Sequence, residues 1–139
     1  MNNKTILCAI DFSESSLSAI HWTLETAQLT GAKVTVLFCY RLIPTADHKE
    51  SLELKRNSEE AAKMKFNEIE KSLVHGRPLS CQFICQIGFF PFLIDMQLRN
   101  AAIGLLVMGK SIVQSFTDYK SLSFEQFLKD TKVPVVVVP

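Results

Sequence analysis

No stretch of this 139-residue chain carries the roughly 20 consecutive apolar residues of a membrane span. Nor is there a surplus of one charge: 15 basic residues stand against 14 acidic ones. That balance removes the electrostatic footprint of a nucleic-acid or anionic-lipid binder. Glycine and proline are scarce, at 5 residues each, which excludes fibrous and low-complexity compositions. No two of the 4 cysteines form a Cys-x-x-Cys pair, so the paired-thiol spacing of metal and redox motifs is missing. The opening Met1-Asn2-Asn3-Lys4-Thr5 leads into a short apolar run closed by Asp11. That run is too short and too polar at its exit for a signal peptide, and a cytoplasmic location is expected.

Hydrophobic residues make up 47% of the chain and charged residues 21%. This is ordinary globular usage, and a chain of this size buries roughly two thirds of its unfolded surface. A single domain over 1–139 is expected. Cys8, Cys39, Cys81 and Cys85 each lie in an apolar segment and read as reduced, buried thiols. A metal site built on Cys81, Cys85 and His75 lacks a convincing fourth ligand, so no metal is expected.

Thr5-Ile6-Leu7-Cys8-Ala9-Ile10 is apolar without alternation, as a strand buried on both faces must be. Ser13 then offers an N-cap hydroxyl, Leu17, Ile20, Leu24 and Ala27 an apolar helical stripe, and Gly31 a left-handed C-cap. A second strand is expected over 33–40, followed by a loop with Pro44. A charged helix over 51–74 follows, with Ala62, Phe66, Ile69 and Leu73 inward and Glu59 placed to pair with Lys63. A third strand over 79–87 ends at Gly88. A third helix over 90–101 turns Leu93, Ile94 and Leu98 inward. A fourth strand over 103–108 ends at Gly109, and a polar loop runs from Lys110 to about Tyr119. A fourth helix over 122–130 with Phe124, Phe127 and Leu128 apolar precedes a β-branched strand from Val133 to Val138.

Strict β-α alternation predicts a three-layer α/β/α sandwich: a five-stranded parallel sheet of order 3-2-1-4-5, Rossmann-like, with helices on both faces. Such sheets bind ligands outside the strand C-termini, where strand order reverses. Asp11 and Gly109 would then face each other across that point. Asp11, Ser13 and His21 supply the residue types of a catalytic triad, but His21 lies about two turns along the helix, so no catalytic residue is assigned. Phe89, Phe90 and Phe92, at the exit of the third strand, read either as core or as an apolar lining for a ligand or partner.

The run Ile6-Leu7-Cys8-Ala9-Ile10-Asp11-Phe12-Ser13-Glu14-Ser15-Ser16, the exit Leu106-Val107-Met108-Gly109 and the closing Val133-Pro134-Val135-Val136-Val137-Val138 resemble the universal stress protein family. The likeness covers essentially the whole chain and implies an adenine-nucleotide α-hydrolase-like fold. ATP-binding members of that family carry Gly-x2-Gly-x9-Gly-Ser/Thr after the fourth strand. Laid onto this sequence, the motif falls on Gly109, Ile112, Leu122 and Ser123. The spacing survives, but two of its glycines are replaced by bulky aliphatic residues, and Ile112 resists positive φ. Gly104 stands where the family often has an acidic residue.

The family-equivalent pocket positions are Asp11, Cys39, Met108, Gly109, Ser111, Ile112 and Ser123. Asp11 is either the contact for a nucleotide's base and ribose end or a strand-ending acceptor for its own turn. Ser123 is either a phosphate contact or a helix N-cap. The resemblance with its lost glycines implies a non-enzymatic stress-response or regulatory domain with a degenerate nucleotide pocket and no required cofactor. It would dimerise through the edge strand Val133 to Val138 and act on an unidentified protein partner. The alternative is an ATP- or AMP-binding domain that uses a modified loop, with Lys110 and Ser111 compensating. Restoring Ile112→Gly with Leu122→Gly would then create or strengthen ATP binding.

Overall fold

The apolar run after Lys4 forms β1 (Thr5–Ile10), and its two-sided burial explains the missing alternation. Ile6, Cys8 and Ile10 enter a core shared with α1 (Glu14–Thr30) and α2 (His48–Ile69). Leu7 and Ala9 enter a second core shared with α3 (Phe90–Asn100), α4 (Lys110–Ser115) and α5 (Phe124–Asp130). With β2 (Lys33–Tyr40), β3 (Cys81–Ile87), β4 (Ile103–Gly109) and β5 (Val135–Val138), the strands form one sheet of order β3-β2-β1-β4-β5. Every pairing is parallel. The result is the three-layer Rossmann-like sandwich expected from the β-α alternation. The computed structural model describes residues 4–41, 47–100, 102–116 and 123–139. Pro44, Tyr119 and Leu122 lie outside the described residues.

Both ends of α1 follow their local chemistry. Ser13 caps it, accepting from the Ser16 N–H, and Gly31 closes it in the left-handed conformation at φ 75°. Its inward face keeps Ile20, Leu24 and Ala27 of the expected stripe but not Leu17. Leu17 is 38% exposed, whereas Ser15, Ser16 and Thr23 are buried beside Ile20, Leu24 and Ala27. The polar residues are drawn inward because Ser15 and Ser16 have partners at the sheet's rim (below), and those contacts set the helix's rotation.

Helix α2 starts earlier than expected, at His48, capped by Asp47 accepting from the Glu50 N–H at 2.8 Å. It ends in a π-helical turn over Glu70–Val74. Ala62 and Phe66 are buried, and Ile69 and Leu73 pack at the core's margin. The ion pair on this helix is Glu68–Lys71 rather than Glu59–Lys63. Glu59 and Lys63 instead line a crevice over Phe83 and Cys85.

The polar loop expected after Gly109 is helical from Lys110 to Ser115. Ile112 and Phe116, four residues apart, are both fully buried against Phe127 and adopt the helix to reach it. The register of β4 against β1 slips between Thr5 and Ile6, which pair with Ile103 and Leu105, leaving Gly104 as the extra residue of a bulge. The last strand begins at Val135, two residues later than expected. Among the described residues no helix is long and apolar enough to cross a membrane.

Candidate functional site

The rim formed by the C-terminal ends of β1, β2 and β4 gathers most of the chain's notable polar chemistry. Asp11 leaves β1, and Phe12 follows at φ 63°, a left-handed backbone that a bulky residue enters only under constraint. The constraint is visible on both sides. Phe12's ring rests on Phe38 at 4.9 Å, with the Lys65 ammonium 5.4 Å above it. The Asp11 carboxylate, through Oδ1, accepts from the Ser13 N–H at 3.1 Å and from the Ser16 hydroxyl at 2.8 Å. The Ser16 hydroxyl accepts in turn from the Asp11 N–H at 2.9 Å. Burial pushes the Asp11 carboxyl up, but the hydroxyl and N–H groups gathered around it outweigh that and hold it below its ordinary value.

Beside this turn, three hydroxyls close a triangle. Ser111 Oγ lies 2.8 Å from Ser13 Oγ and 3.0 Å from Ser15 Oγ, and the latter two are 3.2 Å apart. The Ser111 N–H also donates to Ser15 Oγ at 3.3 Å. The triangle stitches the first turn of α1 to the first turn of α4. At the same junction the backbones meet: a Cβ added to Gly109 would fall 2.5 Å from Ser15 Oγ and 2.6 Å from the Ser15 carbonyl carbon. Gly109 has an ordinary φ of −76°, so it is needed here for close approach rather than for a special conformation.

The other pocket positions separate. Met108 and Ile112 are fully buried in the second core. Ile112 has helical backbone, so its resistance to positive φ never comes into play. It is a core residue, and Ile112→Gly removes packing there. Ser123 is exposed and caps α5, accepting from the Gln126 N–H at 3.1 Å. Cys39 joins Asp11 in a cavity of about 210 Å³ that is also lined by Arg41, Phe89, Phe90 and Ser115. The Arg41 guanidinium stands 4.8 Å over the Phe89 ring. Phe89 and Phe90 therefore line a pocket, while Phe92 is 48% exposed beyond them. Burial pushes the Cys39 thiol up to about 12, so it lines the wall as a neutral group.

The cavity is smaller than the roughly 300–1,000 Å³ of pockets that enclose drug-sized ligands. It offers one carboxylate, the Phe89 face carrying a guanidinium, further aromatic lining from Tyr40 and Phe90, and the Ser115 hydroxyl. That set suits a small planar group with hydrogen-bond donors and holds no nucleophile paired with a base. His21 is exposed on the outer face of α1. Among the described residues no group of three or more His, Cys, Asp or Glu side chains could hold a metal ion. Cys81 and Cys85, expected to be buried, are only half-buried. A crevice of about 250 Å³ between the C-terminal ends of α3 and α5 is lined partly by the exposed pair Asp95–Arg99 and gathers no comparable set.

Sequence reasoning passed over Ser15, Ser16, Arg41 and Ser115. The run Asp-x-Ser-x-Ser-Ser held the signal for the first two: Ser15 and Ser16 fall in the first turn of α1, directly after its cap Ser13, and that turn meets the rim.

Residues 2–139 match the Universal stress protein family. Three solved structures share the fold. One is the universal stress protein UspA from Lactobacillus plantarum, with 18% identity and a TM-score of 0.75 over 100% of this chain and 99% of that one. A universal stress protein family member from Burkholderia pseudomallei gives 18% identity and a TM-score of 0.69 over 99% and 96%. The universal stress protein from Archaeoglobus fulgidus in complex with dAMP gives 15% identity and a TM-score of 0.60 over 100% of both chains. No curated protein sequence matches the chain.

Proposed function

The chain belongs to the universal stress protein family, and on that premise we propose that it is a single-domain, non-enzymatic regulatory protein of the cytoplasm. In this reading its nucleotide pocket keeps the base-and-sugar end and has lost the phosphate seat. The observation that carries it is the junction of Gly109 with Ser15. Donors that would cradle a phosphate need open space above the first turn of α4. Here the backbones are in contact, and the hydroxyls of Ser13, Ser15 and Ser111 satisfy one another. No cofactor is required. The domain acts as a dimer through β5, whose apolar edge ends the sheet, and passes its state to a protein partner.

The test is calorimetry with ATP-Mg²⁺, AMP and adenosine. ATP and AMP should bind no tighter than adenosine. Binding of ATP a hundredfold tighter than adenosine would sink the reading. Sedimentation as a monomer at high micromolar concentration would remove the dimer.

A second reading is an ATP- or AMP-binding domain that opens its modified loop. Its support is that Asp11, Cys39, Arg41 and Phe89 still enclose one cavity, at the rim of a fold whose Archaeoglobus fulgidus relative is described with dAMP bound. Under it, ATP raises the melting temperature and Asp11→Ala abolishes that rise.

A further inference from the structure

Strand β3 forms the sheet edge opposite β5, and among the described residues no strand covers its outer side. Its sequence, Cys81-Gln82-Phe83-Ile84-Cys85-Gln86-Ile87, contains no charge, no proline and no glycine. Natural edges are usually blunted by one of these. The β5 edge shows the contrast, being four residues long and bracketed by Pro134 and Pro139.

The pattern of β3 is symmetric about Ile84. In an antiparallel pairing of two copies centred there, Gln82 stands opposite the second copy's Gln86, Phe83 opposite its Cys85, Cys81 opposite its Ile87 and Ile84 opposite its Ile84. The match continues outward, with Ser80 opposite Gly88 and Leu79 opposite Phe89. Amide meets amide, apolar meets apolar, and no like charges are brought together.

The backbone agrees with that register. Val34 donates to the Ser80 carbonyl and Gly88 donates to the Tyr40 carbonyl, so even-numbered residues of this segment turn their backbone groups toward β2. Alternation along a parallel strand then aims the N–H and C=O groups of Cys81, Phe83, Cys85 and Ile87 outward. These are the residues that the Ile84-centred register pairs as Phe83 with Cys85 and Cys81 with Ile87, each pairing exchanging both of its N–H···O bonds. Gln82 and Gln86 fall in the closer, non-hydrogen-bonded positions, where side chains meet best. Helix α3 packs mainly over β2, Ile84 reaches its core only at the margin, and Gln82 is exposed with Ile84 and Gln86 partly so.

We propose that the β3 edge is a self-association surface whose occupant is a second copy of this chain, paired antiparallel about a two-fold axis at Ile84. It is independent of the pocket and of the β5 contact. Where both contacts form, the β5 dimers are joined edge to edge into a ribbon.

The test is sedimentation velocity at high micromolar concentration with the β5 edge charged by Val137→Lys. That chain should still dimerise. Adding Gln82→Lys with Gln86→Lys, or Gln82→Glu with Gln86→Glu, should leave monomers in each case, and mixing the two should restore the dimer through Lys–Glu pairs. A monomeric Val137→Lys chain, charged variants that still dimerise, or a mixture that stays monomeric would each overturn the proposal. If the charged chains do not fold by circular dichroism, amide exchange of the unaltered chain decides. Protection at Cys81, Phe83, Cys85 and Ile87 should rise with protein concentration, and concentration-independent protection there overturns it.

Discussion

The Cα of Gly109 rests against the backbone of Ser15, so closely that an added methyl carbon would lie 2.7 Å from the Ser15 carbonyl oxygen. The obstacle is main chain at the start of a helix and cannot rotate away. Gly109→Ala should therefore destabilise the fold by about 3 kcal/mol, the upper range of overpacking costs. Urea denaturation should show a lower midpoint at unchanged slope.

Phe12 reverses the usual ranking of alanine and glycine. At φ 63° an alanine loses the contact with Phe38 and keeps the strain, whereas a glycine loses the contact and relieves it. Phe12→Gly should be more stable than Phe12→Ala by about 1 kcal/mol, measured by thermal or chemical denaturation. Equal stabilities would mean the turn relaxes when the ring is removed.

Asp11 should make stability fall in acid. Its native carboxyl titrates below its ordinary value of 3.8, so the folded state holds fewer protons than the unfolded one over that interval. The stabilisation is complete above the unfolded value and is lost as pH drops through the native one. Asp11→Asn should be less stable than the parent at neutral pH by about 1 kcal/mol, the worth of such hydrogen bonds. The gap should narrow below about pH 4, where carboxylates protonate. A gap that stays constant down to the lowest accessible pH would show that Asp11 contributes geometry and not charge.

The cysteines should be slow toward iodoacetamide at pH 8, in a definite order. Burial pushes Cys8 and Cys39 up to about 12, and Cys81 and Cys85 to about 11. Cys81 and Cys85 are also the half-buried pair. Peptide mapping after partial alkylation should find label on Cys81 and Cys85 first, and on Cys8 only under conditions that unfold the chain.

The legible parts of the sequence were those in which local chemistry and burial agree. Ser13 and Gly31 mark the ends of α1 because capping is settled within a few residues, and the unbroken apolar run of β1 announces a strand with a core on each side. The errors arose where distant contacts decide. Ser15 and Ser16 look like surface residues until Ser111 and Asp11 are placed beside them. Helix α4 is six residues long, and Gly109 gives it no side-chain cap, so its only sequence signature was the spacing of Ile112 and Phe116. At the site, topology alone could set Asp11 opposite Gly109, and the family resemblance added Cys39. Arg41 and Ser115 could not be found that way, since nothing in their neighbourhoods marks them; Arg41 follows β2 and Ser115 ends α4, and both join Asp11 only at the folded cavity.

The central place of β1 also fixes the order of events during synthesis. Its first neighbour, β2, begins at Lys33, but its second, β4, begins only at Ile103. At translation speeds of roughly 5–20 residues per second, the flank of β1 that awaits β4 stays bare for several seconds. Leu7 and Ala9 lack the side of their core made by Leu106, Met108, Ile112, Phe116 and Phe127 during that interval. The nascent chain thus carries an open hydrophobic seam until the segment from Ile103 to Phe127 has been made and seals it.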